Sequence, residues 1–182
     1  MQRLQVPFVC LSPDIDESIH AQERPHDLVM RLARAKADKV VQQLEQQTPD
    51  AQHLVIAADQ VACMGSTIFN KPLTNSKASA QLAVMSGQQV DFLCGLCVLN
   101  QTTATRHEVL SAYQVHFRAL DTAMIDAYLD KEQPLHCAGS FKSEGLGVAL
   151  VQRFCGDDPA SLIGLPLIHL VRILTLEGIS VL

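Results

Sequence analysis

An α/β fold is predicted from two features of the sequence: elements of strand and helix character alternate from end to end, and no internal repeat, low-complexity tract or linker interrupts them. The length agrees with a single domain over residues 1–182, because a chain of 182 residues buries about 70% of its unfolded surface without disulfide or metal staples.

The first long helix is expected from His26 to about Gln46, after "ERP". Its apolar stripe is Val29, Leu32, Ala33, Ala37, Val40 and Leu44, and Lys36 falls in the middle of that stripe. Two courses are open to this lysine: its stem snorkels to the rim, or its ammonium points into a polar cleft between helix and sheet. "HLVIAADQV" reads as a strand whose apolar run stops at Asp59, and ligands of open α/β sheets gather outside the carboxyl ends of strands. A short extended piece follows in "TIF", then a loop holding Asn70, Lys71 and Pro72, then a helix capped near Thr74 and stopped around Gly87. Strands are expected at 90–99 and 110–118, a helix at about 121–131 opened by Asp121, and a last apolar helix from Pro166 to Leu176 with Gly178 as its stop.

Composition removes several classes of function. A formal charge of -5 with scattered basic residues excludes a protein that grips a nucleic acid polymer through many phosphates. No apolar run reaches transmembrane length, and "MQRLQVPFVC" lacks the apolar core and small-residue cleavage site of a secretory signal, so a cytoplasmic setting without membrane attachment is expected. Cys94 and Cys97 form a Cys-x-x-Cys inside the apolar run "VDFLCGLCVLN". A redox pair belongs at a helix start, and no second pair or histidine couple completes a zinc set, so both read as buried free thiols.

Charged residues stand out at five places. "SPDIDES" gathers Asp14, Asp16 and Glu17, oxygen donors that suit Mg²⁺ or Mn²⁺ when they converge and are otherwise solvated. "CAGSFKSEGLG" sets Lys142 and Glu144 among small residues; in an extended segment both side chains share one side, facing either a common ligand or water at a hairpin tip. Together with Asp59, Lys36 and Lys71, these residues supply acids for a metal and a water and cations for phosphates. That is the equipment for hydrolysing a phosphate ester or anhydride.

With "PDIDES", "RLARAKA", "AADQV", "NKPLT", "HCAGSFKSEGLG" and "GDDPASLIGLP", the chain resembles the Maf-like nucleotide pyrophosphatases over essentially its whole length. The forms "ADQ" and "AGSFKSEG" are similar to the branch acting on 7-methyl-GTP rather than the branch acting on dTTP and UTP. The resemblance implies a Maf/ITPase-like fold, with a twisted mixed sheet flanked by helices around a deep central cleft. It further implies cleavage between the α and β phosphates of a nucleoside triphosphate, a divalent cation (Mg or Mn) as cofactor, and a homodimer. Carried over by motif, Asp59 is the proton acceptor, Gln60 and Glu144 set base choice, and Lys36, Lys71 and Glu17 line the phosphate and metal site; Lys142 is assigned to substrate binding. Asn70 stands where the family has glycine, a position where asparagine tolerates a left-handed turn. A carboxylate at Glu144 accepts from the N1 and N2 edge of guanine and favours a positively charged N7-methylated purine.

Family members begin with a strand and a loop carrying serine and paired arginines ahead of the segment matching "LQVPFVC". This chain starts after them, and Arg3 falls in the wrong place to replace them. The expectation is therefore either a start placed at an internal methionine or a truncated form, with a bared sheet edge where the first strand is lost, and the alternative function is non-catalytic nucleotide binding.

Overall fold

The computed structural model describes residues 1–48 and 51–182. After a 3-10 turn at Gln2–Leu4, residues 6–20 run without regular structure to the first helix, α1 (Pro25–Gln47). Pro25 opens α1 at its first turn, where a missing N–H costs nothing. Strand β1 (Leu54–Met64) turns at Gly65 into the short β2 (Thr67–Phe69). Helix α2 (Asn75–Met85) is capped by Thr74, whose hydroxyl accepts from the Lys77 N–H. Strands β3 (Gln89–Asn100) and β4 (Arg106–Phe117) form a long hairpin, and α3 (Thr122–Glu132) is capped by Asp121 through the Met124 N–H. Strand β5 (Val151–Cys155) and helix α4 (Leu167–Leu176) complete the chain.

The sheet order is β2-β1-β3-β4-β5. Every pairing among the described residues is antiparallel, where a mixed sheet was expected. The cause is the Gly65 hairpin: it reverses the chain once before α2, so β3 returns beside β1 in the opposite sense. Strand β5 was not anticipated either. Four of its five residues are exposed and it pairs only at its β4 side, so it carries no apolar alternation to read.

Alternation along β3 assigns the two faces of the sheet. Leu93 and Cys97 pack with α1 residues Leu28, Val29, Leu32, Ala33, Ala37 and Val40. On the other face Phe92 joins the α2 and α3 residues Leu82, Met85, Ile125 and Leu129, while Leu96 and Val98 pack with Leu170, Ile173 and Leu174 of α4. Cys94 and Cys97, three apart on a strand, therefore face opposite layers and cannot bridge. Burial pushes the Cys94 thiol up to about 12 and raises Cys97 as well, as inert interior thiols require. No helix among the described residues is long and apolar enough to cross a membrane.

Gly95 of β3 brings α1 onto the sheet. It pairs with Asp59 across the ladder, and a Cβ on it would stand 2.7 Å from the Val29 carbonyl carbon and 3.0 Å from the Met30 nitrogen. Only glycine lets the helix backbone lie this close.

Candidate functional site

Strand β2 pairs with β1 only from Ala62 to Met64, so the edge of β1 is bare of that partner at Ala58, Asp59 and Gln60. A cavity of about 310 Å³ opens there, lined by these three residues together with Lys71, His136, Cys137, Phe141, Glu144, Leu162 and Gly164. Asp59 lies mid-strand instead of at a strand end, because a polar side chain does not interrupt the backbone ladder that continues to Met64. What ends is the β2 partnership, and this produces the cleft.

Asp59 and Gln60 are consecutive on β1 and point to opposite faces. Asp59 faces α1, where the Lys36 ammonium donates to its Oδ1 at 2.6 Å and reaches Glu17 Oε1 at 2.7 Å. The open question about Lys36 is thus settled in favour of the polar cleft. Burial works to lower the Lys36 ammonium, yet the bonds to Asp59 and Glu17 outweigh it and hold the lysine above its ordinary value. Burial also raises Asp59 above its ordinary value, more than Lys36 pulls it down. A carboxyl so raised is a better proton acceptor than an ordinary aspartate.

The N-terminal segment that delivers Glu17 is pinned by Arg31 of α1. Its guanidinium donates to Glu23 at 2.6 and 2.8 Å and to the Ser18 carbonyl at 2.9 Å. Of the acidic triplet, Asp16 instead accepts from the Ser18 N–H, and among the described residues no three His, Cys, Asp or Glu side chains gather as a metal cage. Two carboxylate oxygens do converge on one point, the Lys36 ammonium. A pair of carboxylates with waters and substrate phosphates is the usual set for Mg²⁺; Glu17 and Asp59 are two oxygen donors of that kind, with the Lys36 ammonium now standing between them.

Gln60, on the other face, donates its side-chain amide to the Ser161 carbonyl, while the Ser161 hydroxyl shares a 2.7 Å hydrogen bond with Ser111 of β4. The loop that carries Ser161 is fixed by Asp158. Its carboxylate accepts from Ala160 at 3.1 Å and from Ile168 at 2.6 Å, capping both the 3-10 turn Pro159–Ile163 and the start of α4. Asp158 and Ser161 escaped the sequence reading, although an aspartate before proline is a cap signal.

The segment around Lys142 and Glu144 is not extended: 3-10 turns at Ala138–Ser140 and Leu146–Leu150 flank it. The two charges separate. Glu144 lines the cleft, whereas Lys142 turns to Glu132 of α3 at 2.7 Å and lies outside the lining. The Glu132 carboxylate also accepts from the Leu146 N–H at 2.7 Å, and those bonds hold it below the usual glutamate value. Glycine at 145 leaves room for that carboxylate, since a Cβ there would stand 2.7 Å from its carbon. Lys71 reaches the cleft from the loop after β2, and the left-handed residue of that loop is Leu73 with φ 63°, not Asn70.

The site is thus a carboxylate–ammonium–carboxylate cluster on β1 whose Asp59 also lines a cleft carrying a second lysine, Lys71, and a glutamate, Glu144. A family model described as Maf-like protein matches residues 1–177. The 7-methyl-GTP pyrophosphatase of Nitrosococcus oceani is 48% identical over 182 residues, which cover 100% of this chain and 88% of the relative. Proteins of the same name from Pseudomonas savastanoi pv. phaseolicola (49% over 181 residues, 91% of the relative) and Alcanivorax borkumensis (47% over 180 residues, 88% of the relative) are equally similar in extent. The chain belongs to the Maf-like family.

Proposed function

We propose that this protein hydrolyses the α–β anhydride of 7-methyl-GTP, releasing 7-methyl-GMP and pyrophosphate. The observation that carries the reading is the Lys36 ammonium held between Asp59 and Glu17 at the open edge of β1, where Asp59 also lines the cleft shared with Lys71 and Glu144. Asp59 takes a proton from the attacking water, whose oxygen bonds to the α phosphorus as the bond to the α,β-bridging oxygen breaks. Lys36 fixes the carboxylate of Asp59, and Lys71 neutralises charge gathering on the departing pyrophosphate. A divalent cation, Mg²⁺ or Mn²⁺, held by Glu17 and Asp59 when bound, supplies charge neutralisation at the phosphates. Glu144 accepts from the guanine edge, and the Gln60 amide, tied to Ser161, sets the adjoining wall. We infer a single domain acting as a homodimer in the cytoplasm, where six free thiols stay reduced.

One set of assays tests this. Pyrophosphate release from 7-methyl-GTP, GTP and UTP is followed with added Mg²⁺ or Mn²⁺ for the wild type, Asp59→Asn and Glu144→Gln. Asp59→Asn is expected to abolish turnover of all three; full-rate turnover would remove it from proton transfer. Glu144→Gln leaves one guanine N–H facing a donor and should lower kcat/KM for the guanine substrates by about 5- to 150-fold while sparing UTP. Nucleotide binding by calorimetry with no product over hours would establish a non-catalytic binder instead.

A further inference from the structure

The charges lining the cleft do not match a triphosphate. Asp59 and Glu144 are acids and Lys71 is the only lysine or arginine among the lining residues. Lys36 is already engaged by two carboxylates. Burial raises the Cys137 thiol, so it stays neutral. The remaining lining group able to carry positive charge is His136. It is exposed, and among the described residues its ring makes no hydrogen bond. Its position relative to Lys71 is fixed through the backbone, because the Leu73 N–H donates to the Leu135 carbonyl at 3.0 Å. That bond is made by a leucine held at φ 63°, a left-handed conformation that is costly for a side chain with a Cβ and persists because neighbouring bonds enforce it. The Lys71 loop and the turn bearing His136 are thereby one unit.

We propose that His136 is a second phosphate-binding residue beside Lys71, gripping the phosphate chain and then pyrophosphate in its imidazolium form. This rests on the pyrophosphatase reading, in which Lys71 marks the phosphate end of the cleft. The other titratable groups around it are Asp59, Lys71, Cys137 and Glu144. A charge-assisted hydrogen bond from a solvent-exposed imidazolium is worth about 3- to 10-fold in affinity.

Calorimetric titration of inorganic pyrophosphate with Mg²⁺ present, at about pH 6 and about pH 8.5 across the range where imidazoles change charge, reads the effect without turnover. His136→Asn should bind about 3- to 10-fold more weakly than wild type at the lower pH, with the gap closing at the higher. His136→Lys, a permanent cation, should bind tightly at both. Wild-type affinity in His136→Asn at both values overturns the proposal, as does a deficit that neither pH nor His136→Lys alters. Unfolding temperatures of both variants show whether the exposed site is otherwise intact. If the pyrophosphate dependence appears but no nucleotide is hydrolysed, the hydrolase reading fails while the phosphate contact stands.

Discussion

Gly95→Ala tests whether the packing of α1 sets the chemistry. The added Cβ would stand 2.7 Å from the Val29 carbonyl carbon and nearer still to its oxygen, roughly 1 Å short of ordinary contact, and what it meets is helix backbone that no rotamer change can move. The helix must lift. Overpacking against an unyielding partner places the cost at about 2 to 3 kcal/mol, or a fall in Tm of about 5 to 10 °C for a chain of this size. The same lift carries Lys36 away from Asp59, which lies across the ladder from Gly95 and is now 2.6 Å from that ammonium. A misplacement of about 1 Å at reacting groups costs on the order of 10²-fold in rate. Urea unfolding and pyrophosphate release on the same preparation separate the two effects. Stability within about 0.5 kcal/mol of wild type would refute the packing reasoning. The expected destabilisation with undiminished kcat/KM would show that Lys36 and Asp59 do not depend on the height of α1 above the sheet.

Two other outcomes follow from pairs outside the cleft. The Arg31 guanidinium pulls Glu23 down to about 2, so this pair stabilises the fold above the ordinary glutamate range and loses its effect as pH falls from about 5 toward 2; the Tm advantage of wild type over Glu23→Gln should be full at about pH 6 and vanish near about pH 2. Lys142→Met should keep kcat/KM within about threefold, because the lysine is spent on Glu132, whereas a loss on the order of 10²-fold would bring it to the phosphates.

Local rules made the elements readable. Thr74 and Asp121 announce helix starts because each bonds an N–H three residues on, and the stripe from Val29 to Leu44 marks the buried side of α1. Where outcome depended on distant partners, the sequence was silent. Lys36 reads first as a snorkelling residue, the commoner course for a lysine in an apolar stripe, until β1 supplies Asp59 and the N-terminal segment supplies Glu17. The destination of Lys142 is set by Glu132 on another element, and nothing in "FKSEG" names that partner. Strand β5 has one ladder and four exposed residues, so its pairing with β4 leaves no trace in hydropathy. The resemblance drew Asp59, Gln60, Lys71 and Glu144 into one list, and those four line one cavity.

Under the proposed mechanism, the placement of Asp59 and Gln60 back to back on β1 makes acid chemistry and base recognition separately mutable. Asp59 draws its charged partners from α1 and the N-terminal segment, while Gln60 and Glu144 sit against the Ser161 loop and the turns after α3, elements that among the described residues share no buried cluster with α1. A lineage exchanging one nucleobase for another can therefore reshape the second set while the proton-transfer apparatus is inherited unchanged.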